Sequence, residues 1–389
     1  MRVLQVLPTL SAGGAEGFVT NLGVSLKALG CDVRFFLLAG ARGERGAVLL
    51  KRLQDAEIQV IGTEERSIRS PKTLFQLSKQ MRNWRPDIVQ ANLYSASFVC
   101  ALSRLLHAAP SAAFCRRIAN RNFLGYRSPR VMRFLDRFFE CTIACGPAVE
   151  PAYRDFMGES LHSRLVMIPN GGHLRSQIPS AEEKATAKKN LGIKPETFLV
   201  AHIGRIVGET REARDLSGGQ KAQDVLLKSF AQAFVGQENK ALVLLGDGPL
   251  REEAERLAQS LGIGDQTHFL GQQPEPWPLL EAADMFCFPS RHEGLPNVLP
   301  EAASCGLPIV ASDIPEIRSI TPDDAWLLQP VDDVEGFSRG MQQVAADIET
   351  LRRRASAVAD DIRERFSMEQ CARKYLEAYE RALESRRQT

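Results

Sequence analysis

At 389 residues the chain exceeds one ordinary domain, and its 44% apolar and 25% charged composition is that of a globular protein with a large core, which excludes disorder. A formal net charge of +2 leaves no whole-molecule field to draw nucleic acid, so no nucleic-acid partner is expected and electrostatic preferences must be local. The eight cysteines form no C-x-x-C pair and sit mostly in apolar runs, as reduced buried thiols do, and no stretch approaches the ~20 apolar residues of a membrane span.

The apolar start is too short for a signal-peptide core and lacks a small-residue cleavage pattern, so a cytoplasmic protein is expected. Residues 3–7 form a predicted strand that ends in a turn at Gly13 and Gly14. Phe18, Leu22, Leu26 and Leu29 then recur at helical spacing. Strands follow at 31–38 and 58–61, a helix at 74–84, and strands at 88–91, 112–117, 142–144 and 165–168. Strands apolar throughout, spaced by amphipathic helices, predict a parallel sheet covered on both faces.

After a polar stretch, 176–194, the rhythm restarts. Strands are predicted at 198–203, 241–245, 268–270, 285–288 and 308–311, with helices at 224–235 and 250–261 and a charged helical tail at 334–387. Two successive α/β halves are thus joined near 170–180. No short-period repeat appears, which excludes a solenoid.

Ligands of doubly wound sheets bind at the carboxyl ends of strands, where loops lead into helices. The loop after 285–288 has that geometry. Pro300 is tolerated only in a first helical turn, so a helix starts near Asn297, a residue type that suits an N-cap. The free N–H groups at such a helix start can hold a phosphate. Gly294 lets a ligand approach the backbone closely. Glu293 then lies in the loop and Glu301 in the first turns, where two carboxylates could flank a diphosphate and grip a ribose diol. Two acids at this spacing alone would equally suit a solvated surface.

The segment EGLPNVLPEAASCGLPIVAS (293–312) resembles the E-x7-E signature of retaining family 4 glycosyltransferases. The resemblance rests on Gly294, Pro296, Asn297, Glu301, Ala302, Gly306 and Pro308 besides Glu293, and it implies that Leu295 and Val298 also line the donor. It implies an α/β protein of two Rossmann-like domains facing across a cleft (GT-B). The N-terminal acceptor-side domain would span 1–172, with a last helix of about 368–389 crossing back to it, and the nucleotide-sugar domain 173–367.

Other resemblances follow in chain order. SAGGAE (11–16) is similar to the family's glycine-rich first loop, MIPNGG (167–172) to its junction, and HIGR (202–205) to its strand ending in Gly204 and Arg205. KAQDVLLKSF (221–230) resembles the helix start that carries a lysine. LLGDGPLREE and HFLGQQPE, with Gly246 and Gly271, resemble segments lining the nucleotide base. By resemblance Arg205 and Lys221 hold the donor diphosphate, Glu293 meets the donor sugar and Glu301 the ribose. His292 reads as a ligand-facing loop residue. No metal and no cofactor are expected, the nucleotide-sugar being a co-substrate.

Two departures stand out. The segment 207–220 lengthens the spacer between Arg205 and Lys221 with polar, glycine-bearing sequence, which predicts a mobile loop able to act as a lid. Where many relatives carry histidines at the end of the 88–91 strand, this chain has Gln90 and Asn92. A neutral amide can orient hydroxyls but cannot transfer protons, so Asn92 is expected to orient substrate.

LSGGQ (216–220) duplicates an ATPase signature, but without a G-x-x-x-x-G-K-[ST] loop it carries no ATPase reading. His107, His162 and His173 lack metal-ligand spacing and no D-x-D occurs. Arg116, Arg117, Arg121, Arg127, Arg130, Arg133 and Arg137 face a single nearby acid, Asp136, with aromatics interleaved. That segment reads as either a solvated face or a surface for anionic lipid.

The expected activity is transfer of a sugar from a nucleotide-diphosphate donor, with UDP-sugar the first candidate, to a hydroxyl of a glycan or lipid-linked acceptor. It would take place in the cytoplasm or at the inner face of the membrane, as in polysaccharide or lipopolysaccharide synthesis. A 2-epimerase or hydrolase on the same fold, or an inactive sugar-nucleotide binder, is the alternative.

Overall fold

A computed structural model describes residues 1–11, 14–62, 70–119, 129–208, 215–322 and 325–388. The chain divides into two compact units, Met1–His173 with Phe366–Thr389, and Leu174–Arg365.

The first unit holds strands β1 (Arg2–Leu7), β2 (Asp32–Leu37), β3 (Gln59–Gly62), β4 (Ile88–Asn92), β5 (Ala113–Ile118), β6 (Cys141–Ala144) and β7 (Arg164–Met167). They pair in the order β3-β2-β1-β4-β5-β6-β7, every neighbour parallel. Val3, Leu4, Val6 and Leu7 of β1 are all buried because helices cover both faces. One face packs the helices Gly14–Ala28, Gly43–Asp55 and Met368–Gln388, the other Pro71–Trp84, Leu93–Leu105 and Pro129–Asp136.

The terminal helix Met368–Gln388 belongs to this unit by its apolar stripe. Met368, Cys371, Ala372, Tyr375, Ala378, Tyr379 and Ala382 recur at three- and four-residue spacing and are buried against the sheet. Its entry is anchored by Gly172 N–H donating to the Phe366 carbonyl at 2.8 Å and Met368 N–H donating to the Gly172 carbonyl at 3.1 Å.

The second unit repeats the plan with β8 (Phe198–Ile203), β9 (Lys240–Leu245), β10 (Thr267–Phe269), β11 (Met285–Phe288), β12 (Ile309–Ser312) and β13 (Leu327–Gln329). The order is β10-β9-β8-β11-β12-β13, again all parallel. Each sheet reverses winding direction once, between β1 and β4 and between β8 and β11.

Several elements differ from the sequence expectation: the charged tail is four helices, Val334–Ala346, Ile348–Ala357, Ala359–Arg365 and Met368–Gln388, and helices Leu93–Leu105, Val149–Met157 and Trp277–Ala282 add to those expected. The polar stretch 176–194 contains a helix, Ala181–Asn190, whose signal is a capping box instead of an apolar face. Ser180 accepts from Glu183 N–H and the Glu183 side chain accepts from Ser180 N–H. The three-residue β13 was too short to register as a pattern. Among the described residues no helix is long and apolar enough to cross a membrane.

Candidate active site

In the second sheet the winding reverses between β8 and β11, so their carboxyl ends open a crevice into which backbone loops carry side chains. β8 delivers Gly204 and Arg205, and β11 delivers the loop from Pro289 to Asn297. The helix Gln223–Phe234 opens two residues after Lys221.

These elements converge on Glu293. Its carboxylate, 6% exposed, accepts from the Lys221 ammonium at 2.6 Å, the Ser290 hydroxyl at 2.5 Å and the Gln220 amide at 3.4 Å. The Lys221 ammonium also lies 4.8 Å from the centre of the Phe288 ring. Three donors thus fix a carboxylate that would otherwise be costly to bury. An ammonium has three N–H groups, so Lys221 can hold Glu293 and still donate to an anion.

Arg205 is exposed, and among the described residues no side chain bonds its guanidinium. Its carbonyl is held by the Gln223 amide at 3.0 Å. His202, one turn of strand earlier, is wholly buried, with Nδ1 3.0 Å from the Cys287 carbonyl and its ring stacked on Phe288. Burial pushes its imidazole down to about 4, against the Cys287 contact that raises it and with Lys221 that lowers it further, so the ring is neutral near pH 7.

The glycines assigned to this site are explained by backbone packing. A Cβ on Gly204 would stand 3.0 Å from the Lys221 Cγ and 3.0 Å from His202 Nε2, so the bare backbone leaves room for the lysine stem. A Cβ on Gly246, at φ +138°, would meet the Gly204 carbonyl. Gly271 bridges Gly246, whose N–H donates to the Gly271 carbonyl at 2.9 Å.

Gly294, Leu295 and Pro296 are buried, whereas His292 is exposed and its carbonyl accepts from Gln220 at 3.0 Å. The helix runs Val298–Ser304 with half-buried Glu301 in its first turn, as Pro300 requires. Asn297 does precede it, but with helical backbone angles (φ −53°, ψ −31°) and no side-chain cap, since capping needs an extended residue at that position. The phosphate role expected of this seven-residue helix start therefore lacks the expected cap.

The inserted segment is not a free lid over the part described. Residues 209–214 lie outside the described residues. Beyond them, Leu216 is 4% exposed within the core of this unit. Arg291 binds the Gly219 carbonyl at 2.7 Å and the Asp224 carboxylate at 3.1 and 2.9 Å, and its backbone N–H donates to the Gln220 carbonyl at 2.8 Å. Leucine burial and these bonds dock 215–220 as a wall beside Glu293.

In the first unit Gly13 lies outside the described residues, and Gly14 is the exposed first residue of its helix. Asn92 ends β4 but is 1% exposed. Its amide donates to Gln5 Oε1 at 2.8 Å, and the Gln5 amide donates to the Tyr379 hydroxyl at 3.4 Å. The expected substrate-orienting residue is thus tied into a buried polar chain across the sheet; its Oδ1, buried, has no partner among the described residues.

The arginine-rich segment also divides. Arg116 is buried in an ion pair with Asp136 and beside Tyr153, and Arg117 is buried with Asn170 accepting at 2.6 Å. Arg121 and Arg127 lie outside the described residues. Only Arg130, Arg133 and Arg137 are described and exposed, alongside Val131 and Phe134. Strand β5 puts its two arginines into the interior, which a local charge count does not register.

The model described as Glycosyltransferase Family 4 matches residues 12–174, and that described as Glycosyl transferases group 1 matches 217–360. The chain belongs to this glycosyltransferase family. Similar to it is the lipopolysaccharide core biosynthesis glycosyltransferase LpsD of Rhizobium meliloti, 26% identical over 96% of this chain and 97% of that one. Another, LpsE of the same organism, is 28% identical over 55% of this chain, and the match spans just under two thirds (66%) of that relative. The solved structure of Anabaena Alr3699/HepE in complex with UDP and glucose shares the fold, with a TM-score of 0.81 at 19% identity, covering 97% of this chain and 98% of that one. The fold is accordingly that of GT-B glycosyltransferases, two Rossmann-like units with parallel sheets of 7 and 6 strands.

Of the three groups that hold Glu293, Lys221 is legible in the sequence, whereas Ser290 and Gln220 are not. In the sequence Ser290 is one loop residue among several and Gln220 is the end of the LSGGQ pentapeptide. Gln220 and Glu293 are 73 residues apart, so no spacing rule could join them. The one available signal was the concentration of polar residues after β11.

Proposed function

We propose that this glycosyltransferase is a retaining enzyme that moves a sugar from a UDP-sugar to a hydroxyl of a glycan or lipid-linked acceptor. The observation that carries the reading is the Lys221–Glu293–Ser290 cluster beside the uncommitted Arg205 at the carboxyl edge of the second sheet. A UDP donor is supported by the bound ligand named for HepE, and a lipopolysaccharide-type acceptor by the naming of LpsD.

Arg205 and Lys221 would hold the donor diphosphate. As the bond to the sugar breaks, charge grows on the leaving phosphate, and fixed cations stabilise that charge in a site that needs no reorganisation. The reaction is therefore proposed to need no metal or cofactor. Glu293 would meet the transferring sugar and Glu301 the ribose hydroxyls, with Gly294, Pro296 and Val298 shaping the loop between them. His202 cannot serve as an acid near pH 7, and no other proton donor is invoked. In a retaining reaction on one face of the sugar, the leaving phosphate itself accepts the acceptor proton. The acceptor would bind in the first unit, near Gly14 and the end of β4, where Asn92 is held by Gln5.

Arg130, Arg133, Arg137, Val131 and Phe134 together form an exposed basic and apolar patch suited to an anionic membrane surface. On this reading the enzyme works at the inner face of the membrane. Liposome sedimentation tests this: charge-neutralised Arg130/Arg133/Arg137 protein should lose binding to anionic vesicles, and equal binding by wild type and variant would sink the idea.

A nucleotide-sugar screen by thermal shift tests the donor. Arg205→Ala and Glu301→Ala should each weaken donor binding at least tenfold, the equivalent of about 1.4 kcal/mol. Near-wild-type donor affinity in both variants would refute the site.

A further inference from the structure

The second unit carries a second basic site on its opposite edge. Asp284 immediately precedes β11 and Gly306 lies shortly before β12, so both mark the amino-terminal edge of the sheet, away from Lys221 and Glu293. There a cavity of 340 Å³ is lined by Lys184, Lys188, Asp284, Cys305 and Arg352, with Ile178 and Pro179 at its apolar side. Ala181, Lys184, Ala185 and Lys188 share one face of the helix Ala181–Asn190, so two ammonium groups and two methyls turn toward it.

Three cations face one buried carboxylate, Asp284, and that carboxylate is saturated; the exposed Glu349 carboxylate also lies 3.9 Å from Arg352. Asp284 accepts from Leu199 N–H at 2.9 Å, Lys188 at 2.6 Å, Arg352 at 2.9 Å and Lys184 at 3.5 Å, which uses all four lone-pair positions. Burial would raise its pKa, but Lys184, Lys188 and the Leu199 N–H bring it below the usual value, so it stays ionised.

The donors are not saturated. Arg352 Nε is buried with no acceptor among the described residues. Lys184 donates to the Ala283 carbonyl at 2.6 Å and weakly to Asp284, leaving a third N–H. Burial pushes the Lys184 ammonium down to about 8 although Asp284 opposes the shift, as expected of a cation short of negative partners. A buried donor without an acceptor is costly, and an oxyanion would supply both acceptor and charge.

We propose that this cavity is a binding site for a phosphate-class oxyanion, held by Lys184 and Arg352, which ties the helix Ala181–Asn190 and the start of β11 to the helix Ile348–Ala357. Positive charge stays in excess there, with Lys184, Lys188 and Arg352 against buried Asp284 and exposed Glu349, which suits an anion. The volume sits at the low end of ligand pockets, about 300–1,000 Å³, which suits phosphate or a small monoester. The proposal does not rest on the donor reading, because no residue is shared between the two edges.

The test titrates the full-length protein with inorganic phosphate, and separately with glycerol 3-phosphate, at ionic strength held constant with chloride. Wild type and Lys221→Ala should both show a saturable rise of a few degrees in unfolding midpoint. Arg352→Gln and Lys184→Gln should lose it. Because those variants disturb Asp284, phosphorus line broadening at 25 °C repeats the comparison without unfolding. A response to glycerol 3-phosphate alone assigns the site to a phosphate ester, such as a lipid head, and a response to phosphate assigns it to the free ion. Equal responses in wild type and Arg352→Gln, no saturable response, or loss in Lys221→Ala would overturn the proposal, the last by moving the anion to the donor side.

Discussion

Glu293 takes its three donors from Ser290, Gln220 and Lys221, two of them more than seventy residues away in sequence. The arrangement makes the carboxylate rigid, which is what a group meeting a transferring sugar requires. Glu293→Gln keeps the shape but loses the ion pair with Lys221. It should lower kcat by about 10²–10³ with a smaller change in donor KM, read from steady-state kinetics. An unchanged kcat would remove Glu293 from the chemistry.

His202 gives a pH prediction with a definite sign. Its folded pKa is depressed to about 4, below the ~6.5 of an unfolded chain. The unfolded state therefore binds more protons between these values. The contribution is fully present above pH 6.5 and is lost as pH falls toward 4, at most on the order of 3 kcal/mol. Denaturant midpoints at pH 7 and pH 5 should converge in His202→Gln relative to wild type; an unaltered pH dependence would show that other groups control it.

Among the elements, the terminal helix depends on a glycine far from it in sequence. A Cβ on Gly171 would lie 2.6 Å from the Ser367 carbonyl oxygen and 2.7 Å from Met368 Cα, both backbone atoms that cannot swing aside. Gly171→Ala should destabilise the first unit by about 1–3 kcal/mol in chemical denaturation, by overpacking where Met368–Gln388 docks. Wild-type stability in that variant would mean the helix start relaxes freely. The wall segment makes a parallel case, since Leu216 is buried in the second core. Leu216→Ala should cost about 2–5 kcal/mol, whereas a loose lid would lose nothing measurable.

At the scale of the whole molecule, the two units have separate cores and the residues proposed to hold the donor, Arg205, Lys221, Glu293 and Glu301, all fall within Leu174–Arg365. Calorimetry should resolve two transitions, because multi-domain chains depart from two-state behaviour. UDP at 100 times its Kd should raise the second unit's transition by the equivalent of about 2.7 kcal/mol and leave the other in place. An equal shift of both would show that the units unfold as one.

The alternation of apolar strands and amphipathic helices is a local property, so the sequence by itself determined the α/β class, the two successive halves and the loop after β11 that carries Glu293 and leads into the helix carrying Glu301. Even the position of Pro300 in a first turn followed from one missing N–H. Short-range rules could not see what depends on distant partners. Tertiary packing alone decided that Lys221 and Glu293 form a pair, that Gln220 walls the site and that Asn92 is tied to Gln5 and Tyr379. It also turned Arg116 and Arg117 from an expected surface into buried groups. The physical reason is common to all of these: burial and hydrogen bonding are settled by which strands lie side by side, and strand order joins residues that no sequence window contains.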